Sequence, residues 1–459
     1  MAQANTSLYR TIWRWHFYAG LFVIPMILIL ATTGAAYLFK PQVDRWEERN
    51  WRGYASEGAV TPDAQVAAAL AAFPGAKFNS YRLPEGEGDA ALVHLALPGG
   101  DKAMRDVFVS PQGKVAGSLD PEARIMQVAH DIHGQLLIGR QGSWLVELAA
   151  SWAIVMIVTG LYLWWPRGRG MAGVVWPRLG AGNRILWRDL HAVTGFWVSG
   201  LAMVLLVTGL PWADAWGSGF KALRTEMGWV KGAQDWTIGG RAPDSGDEHA
   251  GHDHAAMAGS VSMAGMTGHD HGMMHVPLLA IVAKARSEHL EFPVIVTPPG
   301  GKGAMGRKGS MDWTVRSDTQ NRPHRVTITY DAMTGKELRR ETFADKHVID
   351  RVVGYGVAWH EGALFGAINQ AIGVLTGLAL VVLSISGFVL WRKRKPEQTL
   401  GAPPLPHDRI GGAGLKTIIA FLFLTLPLFA LSLLLLWLFD RLVLPRWPRL
   451  AVWLGMAPA

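Results

Sequence analysis

Apolar residues along this chain come in uninterrupted runs, not in the alternation of a water-soluble fold. Five runs carry no charge: 17–39, 148–165, 192–213, 363–391 and 417–439. About 20 apolar residues at 1.5 Å each cross a hydrocarbon core of roughly 30 Å, so each run predicts a transmembrane helix. Tryptophans gather at the run ends (Trp13, Trp15, Trp164, Trp165, Trp212, Trp216 and Trp391), as in an interfacial belt. Arg10 and Arg14 precede the first run, but it is too long for a signal-peptide core and ends at Lys40-Pro41 without a small-residue cleavage site, so it predicts a retained anchor.

The polar stretches between the runs set orientation. Arg167, Arg169, Arg178, Arg184 and Arg188 fill the second-to-third connection, and Arg392, Lys393, Arg394 and Lys395 open the fourth-to-fifth. Positive charge marks cytoplasmic loops, so the N-terminus and these connections are predicted inside. The long loops then lie outside, which in a bacterial inner membrane is the periplasm. The segments predicted are helix 1 over 8–39, an outer α+β module over 40–142, helix 2 over 143–165 and a basic loop over 166–188. Helix 3 follows over 189–213, a second outer module over 214–359, helix 4 over 360–391 and a basic loop over 392–414. Helix 5 over 415–440 and an interfacial tail over 441–459 complete the chain, placing Arg441, Arg446 and Arg449 outside against the charge rule.

Each outer module reads as helix, strands, helix. In the first, Thr61 is an N-cap with Pro62 at N1, strand-like alternation covers 91–97 and 107–109, Pro111-Gln112-Gly113 turns, and Asp120-Pro121 opens a helix towards His133. The second repeats the order: a helix over 277–287, strands at 294–297, 313–315 and 326–330, a turn at Met333-Thr334-Gly335, then a helix to His360.

This order is an internal repeat. His133 and His360 lie 227 residues apart, and the same offset pairs Leu137 with Leu364, Gly139 with Gly366, Thr159 with Ser386, Gly160 with Gly387 and Trp164 with Trp391. An offset of 175 pairs His16 with His191, Gly20 with Gly195, Thr33 with Thr208 and Gly34 with Gly209. The second copy has 52 more residues between its histidines. Parallel copies imply a pseudo-twofold axis along the membrane normal. That axis pairs His16 with His191 near the inner side and His133 with His360 near the outer. From His16 to Thr33 is 17 residues, about 25 Å of helix, so the pairs occupy opposite leaflets. A symmetric histidine pair is what the two axial positions of one haem iron require, and two pairs predict two haems. A lone intramembrane histidine is as readily a hydrogen-bonded core residue; four at two depths are harder to explain so, because polar groups in lipid are costly. His130 is an alternative to His133, which is preferred because only it has a repeat partner. Arg14, Arg188 and Arg140 are candidate propionate contacts. The small residues of the Thr/Ser-Gly pairs would let helices approach or leave room for a flat macrocycle.

Composition narrows the chemistry. There is no cysteine, which excludes disulfides, thiolate metal sites, iron–sulfur clusters and covalent haem attachment. The net charge of +8 sits in short loops and is a topology signal, not a nucleic-acid footprint. The run 248–275 holds His249, His252, His254, His269, His271 and His275 with Met257, Met263, Met266, Met273 and Met274. Imidazole and thioether suit copper, and imidazole also nickel or zinc, so the run is either a metal-capturing loop or a tolerated insertion. Gly301 to Gly306 matches GxGxxG, but no helix follows and it reads as a loop.

At these histidines the chain resembles the PepSY-associated transmembrane family, through WHFYAGL at 15–21, HGQLLIG at 133–139, TGLYLWWPR at 159–167, LHAVTG at 190–195 and WHEGALFG at 359–366. The resemblance covers roughly 8–400 and implies an all-α membrane core, four helices around two haem b groups, with two periplasmic α+β PepSY-like modules. Similar proteins include iron-regulated inner-membrane reductases of ferric siderophores. Carried over, His16, His133, His191 and His360 become haem ligands, and the acceptor becomes a ferric siderophore, releasing Fe(II). The electron donor, cytoplasmic or quinol, is not identified. Two other functions fit: a haem-based reductase of copper or another oxidised periplasmic partner that uses the His/Met run, and a non-redox anchor whose modules bind periplasmic proteins. The run and the fifth helix depart from the family pattern.

Overall fold

The computed structural model describes residues 2–99, 103–166, 171–230, 238, 276–301, 310–404 and 413–456. The His/Met run at 248–275 and most of the GxGxxG stretch lie outside the described residues. Four long apolar helices, α1 (Ala2–Tyr37), α5 (Arg140–Trp164), α6 (Asn183–Gly209) and α10 (Gly366–Arg394), form a ring in which α1 and α6 each pack against α5 and α10. Each is long and apolar enough to span a bilayer, as is a fifth stretch, Pro427–Arg446. Phe22, Ile29, Trp197, Val204, Leu375, Leu378 and Val382 stand exposed along the ring, an apolar perimeter that lipid covers. The end where α1 begins and α10 finishes is called inner here; the other end, outer.

At the outer end, α1 continues through a break into α2 (Lys40–Glu47). Then come α3 (Pro62–Ala72), strands β1 (Lys77–Arg82), β2 (Ala91–Ala96), β3 (Met104–Val109) and β4 (Val115–Leu119), and α4 (Ile125–Gln135), which leads into α5. After α6, α7 (Asp214–Glu226) precedes the same series: α8 (Leu278–Ser287), β5 (Val294–Thr297), β6 (Trp313–Ser317), β7 (Val326–Tyr330), β8 (Glu337–Thr342) and α9 (Val348–His360). As expected, Thr61 caps α3, accepting from the Ala64 N–H at 3.3 Å. The strands form one eight-stranded antiparallel sheet, β4-β3-β2-β1-β5-β6-β7-β8, and not two separate sheets. The copies join where Tyr81 faces Val296 and Arg82 faces Ile295. Alternation divides the sheet. Val93, Leu95, Val107, Val109, Val296, Val315 and Ile328 pack with α3 and α8, while Leu92 and Phe108 face the other way under Trp51. Asp63, at the start of α3, accepts from the Leu278 and Leu279 N–H groups of α8 at 3.1 and 2.9 Å, so one copy caps a helix of the other.

The fifth apolar run is not one helix. It divides into α11 (Ala413–Thr425) and α12 (Pro427–Leu442), because Pro427 removes a helical N–H and holds Leu426 extended at φ −124° and ψ 90°. The break lies at the outer part of the bundle, where the Trp216 indole donates to the Thr425 carbonyl at 3.1 Å and Leu426 and Phe429 pack with Ile154, Val155 and Leu210. From there α12 turns back along α5, with Trp152 donating to Ser432 at 3.1 Å. The tail, α13 (Pro448–Trp453) and its extension, ends at the inner end. There Tyr18 donates to the Leu454 carbonyl at 2.5 Å, Arg14 to that of Gly455 at 2.9 Å, and Leu400 to that of Trp453 at 2.9 Å. The expected outer tail is therefore corrected to an inner one.

Candidate functional site

Each of the four repeat-related histidines enters the bundle from a different helix. His16 is on α1 and His191 on α6; His133 closes the last turn of α4 and His360 ends α9. In the first copy the chain reverses after His133 through Leu136 and Leu137, both left-handed at φ 51° and 59°, a costly conformation for branched side chains. The second copy reverses through Gly362 at φ 74°, where a Cβ would lie 2.8 Å from Leu38.

The rings meet in two pairs, as the offsets predict. His16 and His191 have centroids 6.4 Å apart and planes at 81°; His133 and His360 lie 6.3 Å apart at 78°. Two nitrogens each about 2.0 Å from one metal, with ring centres about 1.2 Å further out, give a span of this size. Among the described residues no three His, Asp or Glu side chains cluster as a metal site. The pairs alone would leave a bare ion short of ligands, but they suffice for a metal carried in a tetrapyrrole.

What holds the rings also fixes their protons. Nδ1 of His16 lies 2.9 Å from Thr159 Oγ1, that of His133 3.2 Å from Thr33 Oγ1, that of His360 3.2 Å from Thr208 Oγ1, and that of His191 3.3 Å from Ser386 Oγ. Each hydroxyl spends its own proton on a helical carbonyl: Thr159 on Val155 at 2.7 Å, Thr33 on Ile29 at 2.7 Å, Thr208 on Val204 at 2.8 Å, Ser386 on Leu383 at 3.0 Å. A hydroxyl so committed can only accept, so Nδ1 must carry hydrogen and Nε2 keeps its lone pair. The Leu383 carbonyl, 3.1 Å from His191 Nδ1, imposes the same tautomer.

A glycine follows each hydroxyl, and its missing side chain is where the imidazole sits. A Cβ would lie 2.9 Å from His133 Cε1 at Gly34, 3.1 Å from His16 Cε1 at Gly160, 3.3 Å from His360 Cε1 at Gly209 and 3.2 Å from His191 Cε1 at Gly387. The Thr/Ser-Gly pairs therefore seat the histidines of neighbouring helices, a role the sequence reading did not assign them.

All four rings open on one cavity of 1780 Å³ along the bundle axis. Its middle is apolar, walled by Val23, Ile27, Met156, Val198, Leu205 and Leu380. Of the three arginines expected there, only Arg188 lines it, and its guanidinium also holds Asp189 at 2.7 Å. Arg14 is spent on the C-terminal tail, and Arg140 pairs with buried Asp214 at 2.8 Å. Arg184, Lys393 and Arg394 join Arg188 at the inner end, and Arg322 and Arg325 stand at the outer end; both arginines were missed because they reach the cavity from the β6–β7 connection. His130 also lines the outer end, but pairs with Asp131 at 3.2 Å and packs on Tyr37. His133 is the ring that faces His360.

No curated protein matches this chain. The family model of the PepSY-associated TM region matches residues 13–394, most of the chain, and the chain belongs to that family.

Proposed function

We propose that this protein is a membrane electron-transfer oxidoreductase that binds two b-type haems, one on His16 and His191 and one on His133 and His360. The observation that carries the reading is the pairing itself: two repeat-related pairs, spaced for one metal each, with Nδ1 protonated and Nε2 left to coordinate. Bound haem would supply a one-electron Fe(III)/Fe(II) couple at each depth. The chain's part is to fix the ligand rings, keep water from the apolar middle of the cavity and set the two sites at different depths. Net flow is from a donor at the inner end to an oxidised acceptor at the outer end. Resemblance favours a periplasmic ferric siderophore as that acceptor, since Fe(II) binds hard oxygen ligands more weakly than Fe(III) and one electron frees the metal.

The absorption spectrum of the purified full chain, oxidised and reduced, tests this. Two non-covalent low-spin haems per chain are expected. His16→Ala or His191→Ala should remove one, and His133→Ala or His360→Ala the other. A colourless preparation from haem-replete cells sinks the reading, and the non-redox anchor takes its place.

A further inference from the structure

The outer end of the cavity is lined in part by a connection that belongs to the sheet. Between β6 and β7 the chain makes a short 3-10 turn, Arg322–His324, which packs on α9 just above His360. Arg322, 5 % exposed, reaches Glu361 Oε2 at 3.1 Å, and Glu361 is the residue after the candidate ligand. Arg325 holds the Asp318 carboxylate at 3.2 Å, and Arg316 holds it too, so one carboxylate serves two guanidinium groups. Two buried donors on this wall, Arg322 Nε and Gln320 Nε2, have no acceptor among the described residues. Buried donors left unmet cost about 1–3 kcal/mol each, and native proteins keep few of them. Both side chains line the cavity, so an acceptor lying in its outer end is within their reach. The corresponding connection of the first copy, 97–103, contains no arginine.

We propose that Arg322, with Gln320 and Arg325, receives the carboxylates of the tetrapyrrole held by His133 and His360. The inference rests on the haem reading above and adds a carboxylate site supplied by one copy of the repeat alone. Guanidinium is suited to it, because it stays charged when buried and the Nε–H of Arg322 is left over after its terminal nitrogens have bound Glu361.

The test uses full-length protein freed of haem and reloaded with haem b or with its dimethyl ester, which lacks the charged carboxylates. Arg322→Gln should weaken retention of one of two haems roughly tenfold or more, leave retention of the ester unchanged at that site, and lower the midpoint potential of that haem only. Arg322→Lys should restore part of the retention, which guards against a misfolded Gln variant. Glu361→Gln should move the same potential upward, since it removes a negative charge beside the ligand. The inference is overturned if Arg322→Gln leaves both haems and potentials as they were, if it weakens haem and ester equally, or if it alters only the affinity for an added acceptor. A chain that takes up no haem at all would instead remove the reading beneath it.

Discussion

Thr33 accepts a hydrogen bond from His133 at 3.2 Å while donating its own proton to the Ile29 carbonyl at 2.7 Å. The ring is thereby held in the tautomer that leaves Nε2 free, by a residue of another helix. Thr33→Val should strand a buried N–H and, on the haem reading proposed above, weaken haem retention at the outer pair roughly 10–100-fold, the usual cost of losing a ligand's supporting partner. Thr33→Ser should behave nearly as the parent. Haem content after gel filtration, compared across these variants, checks this; equal content in Thr33→Val would remove the hydroxyl from the account.

The neighbouring glycine gives an independent handle. A Cβ at Gly34 would sit 2.9 Å from His133 Cε1, so Gly34→Ala must push the ring from its seat, with a strain of about 1–3 kcal/mol typical of overpacking. At Gly209, where the distance to His360 Cε1 is 3.3 Å, the same change should be milder. The ratio of the two reduced haem bands, read for each variant, should rank Gly34→Ala below Gly209→Ala.

Much of this frame is legible in the sequence because it is written twice. The offsets of 175 and 227 pair the histidines and their Thr/Ser-Gly seats without any coordinate. What is not legible depends on contacts between copies or on chain reversals. Strands β1, β4 and β8 read KFNSYR, VAGSL and ELRRET, too polar or small to alternate visibly. β1 is stabilised by pairing with a strand more than 200 residues away. Arg322 and Arg325 look like surface residues of a loop until the fold turns that loop over the bundle. Pro427 was visible in the fifth run, yet a proline in a long apolar stretch fits a kinked span as well as a hairpin.

The hairpin makes a topological prediction. Trp453 to Gly455 bond to Leu400, Tyr18 and Arg14, so a reporter fused after Ala459 should share its compartment with one at Gly182 and oppose one at Gly99. It also brings Arg441, Arg446 and Arg449 into line with the basic connections, the cytoplasmic side by the charge rule. A C-terminal reporter that agrees with Gly99 would show that α12 does not return.

Acid should loosen the joint between α2 and the sheet. Burial pushes the Glu48 carboxyl up, but the guanidinium groups of Arg82, at 2.6 Å, and Arg124, at 2.9 Å, outweigh it and hold the group below its ordinary value of 4.5. A depressed folded-state value means the contribution is whole above pH 4.5 and fades as pH falls through the lower, folded value. Protease resistance of the outer region should drop in that window, and Glu48→Gln should flatten the dependence. A parent profile without a step there would contradict the sign of the shift.

The last prediction concerns the acceptor. If it is a ferric siderophore, reduced protein should be reoxidised when the ferric complex is added at the outer face, with Fe(II) appearing in proportion to electrons lost. Deleting 248–275 should leave the haems in place, because His360 is seated by Thr208 and Gly209 and faces His133, none of which belongs to that run. It should also leave reoxidation by the ferric complex largely unchanged, since the first copy builds its half of the outer site without a matching insert. Copper separates the two redox readings. If copper reoxidises the parent where ferric complexes do not, and the deletion abolishes that reaction while both haems remain, the His/Met run belongs to the acceptor site. Copper then replaces the siderophore as the favoured substrate, because imidazole and thioether ligands suit it and not hard Fe(III).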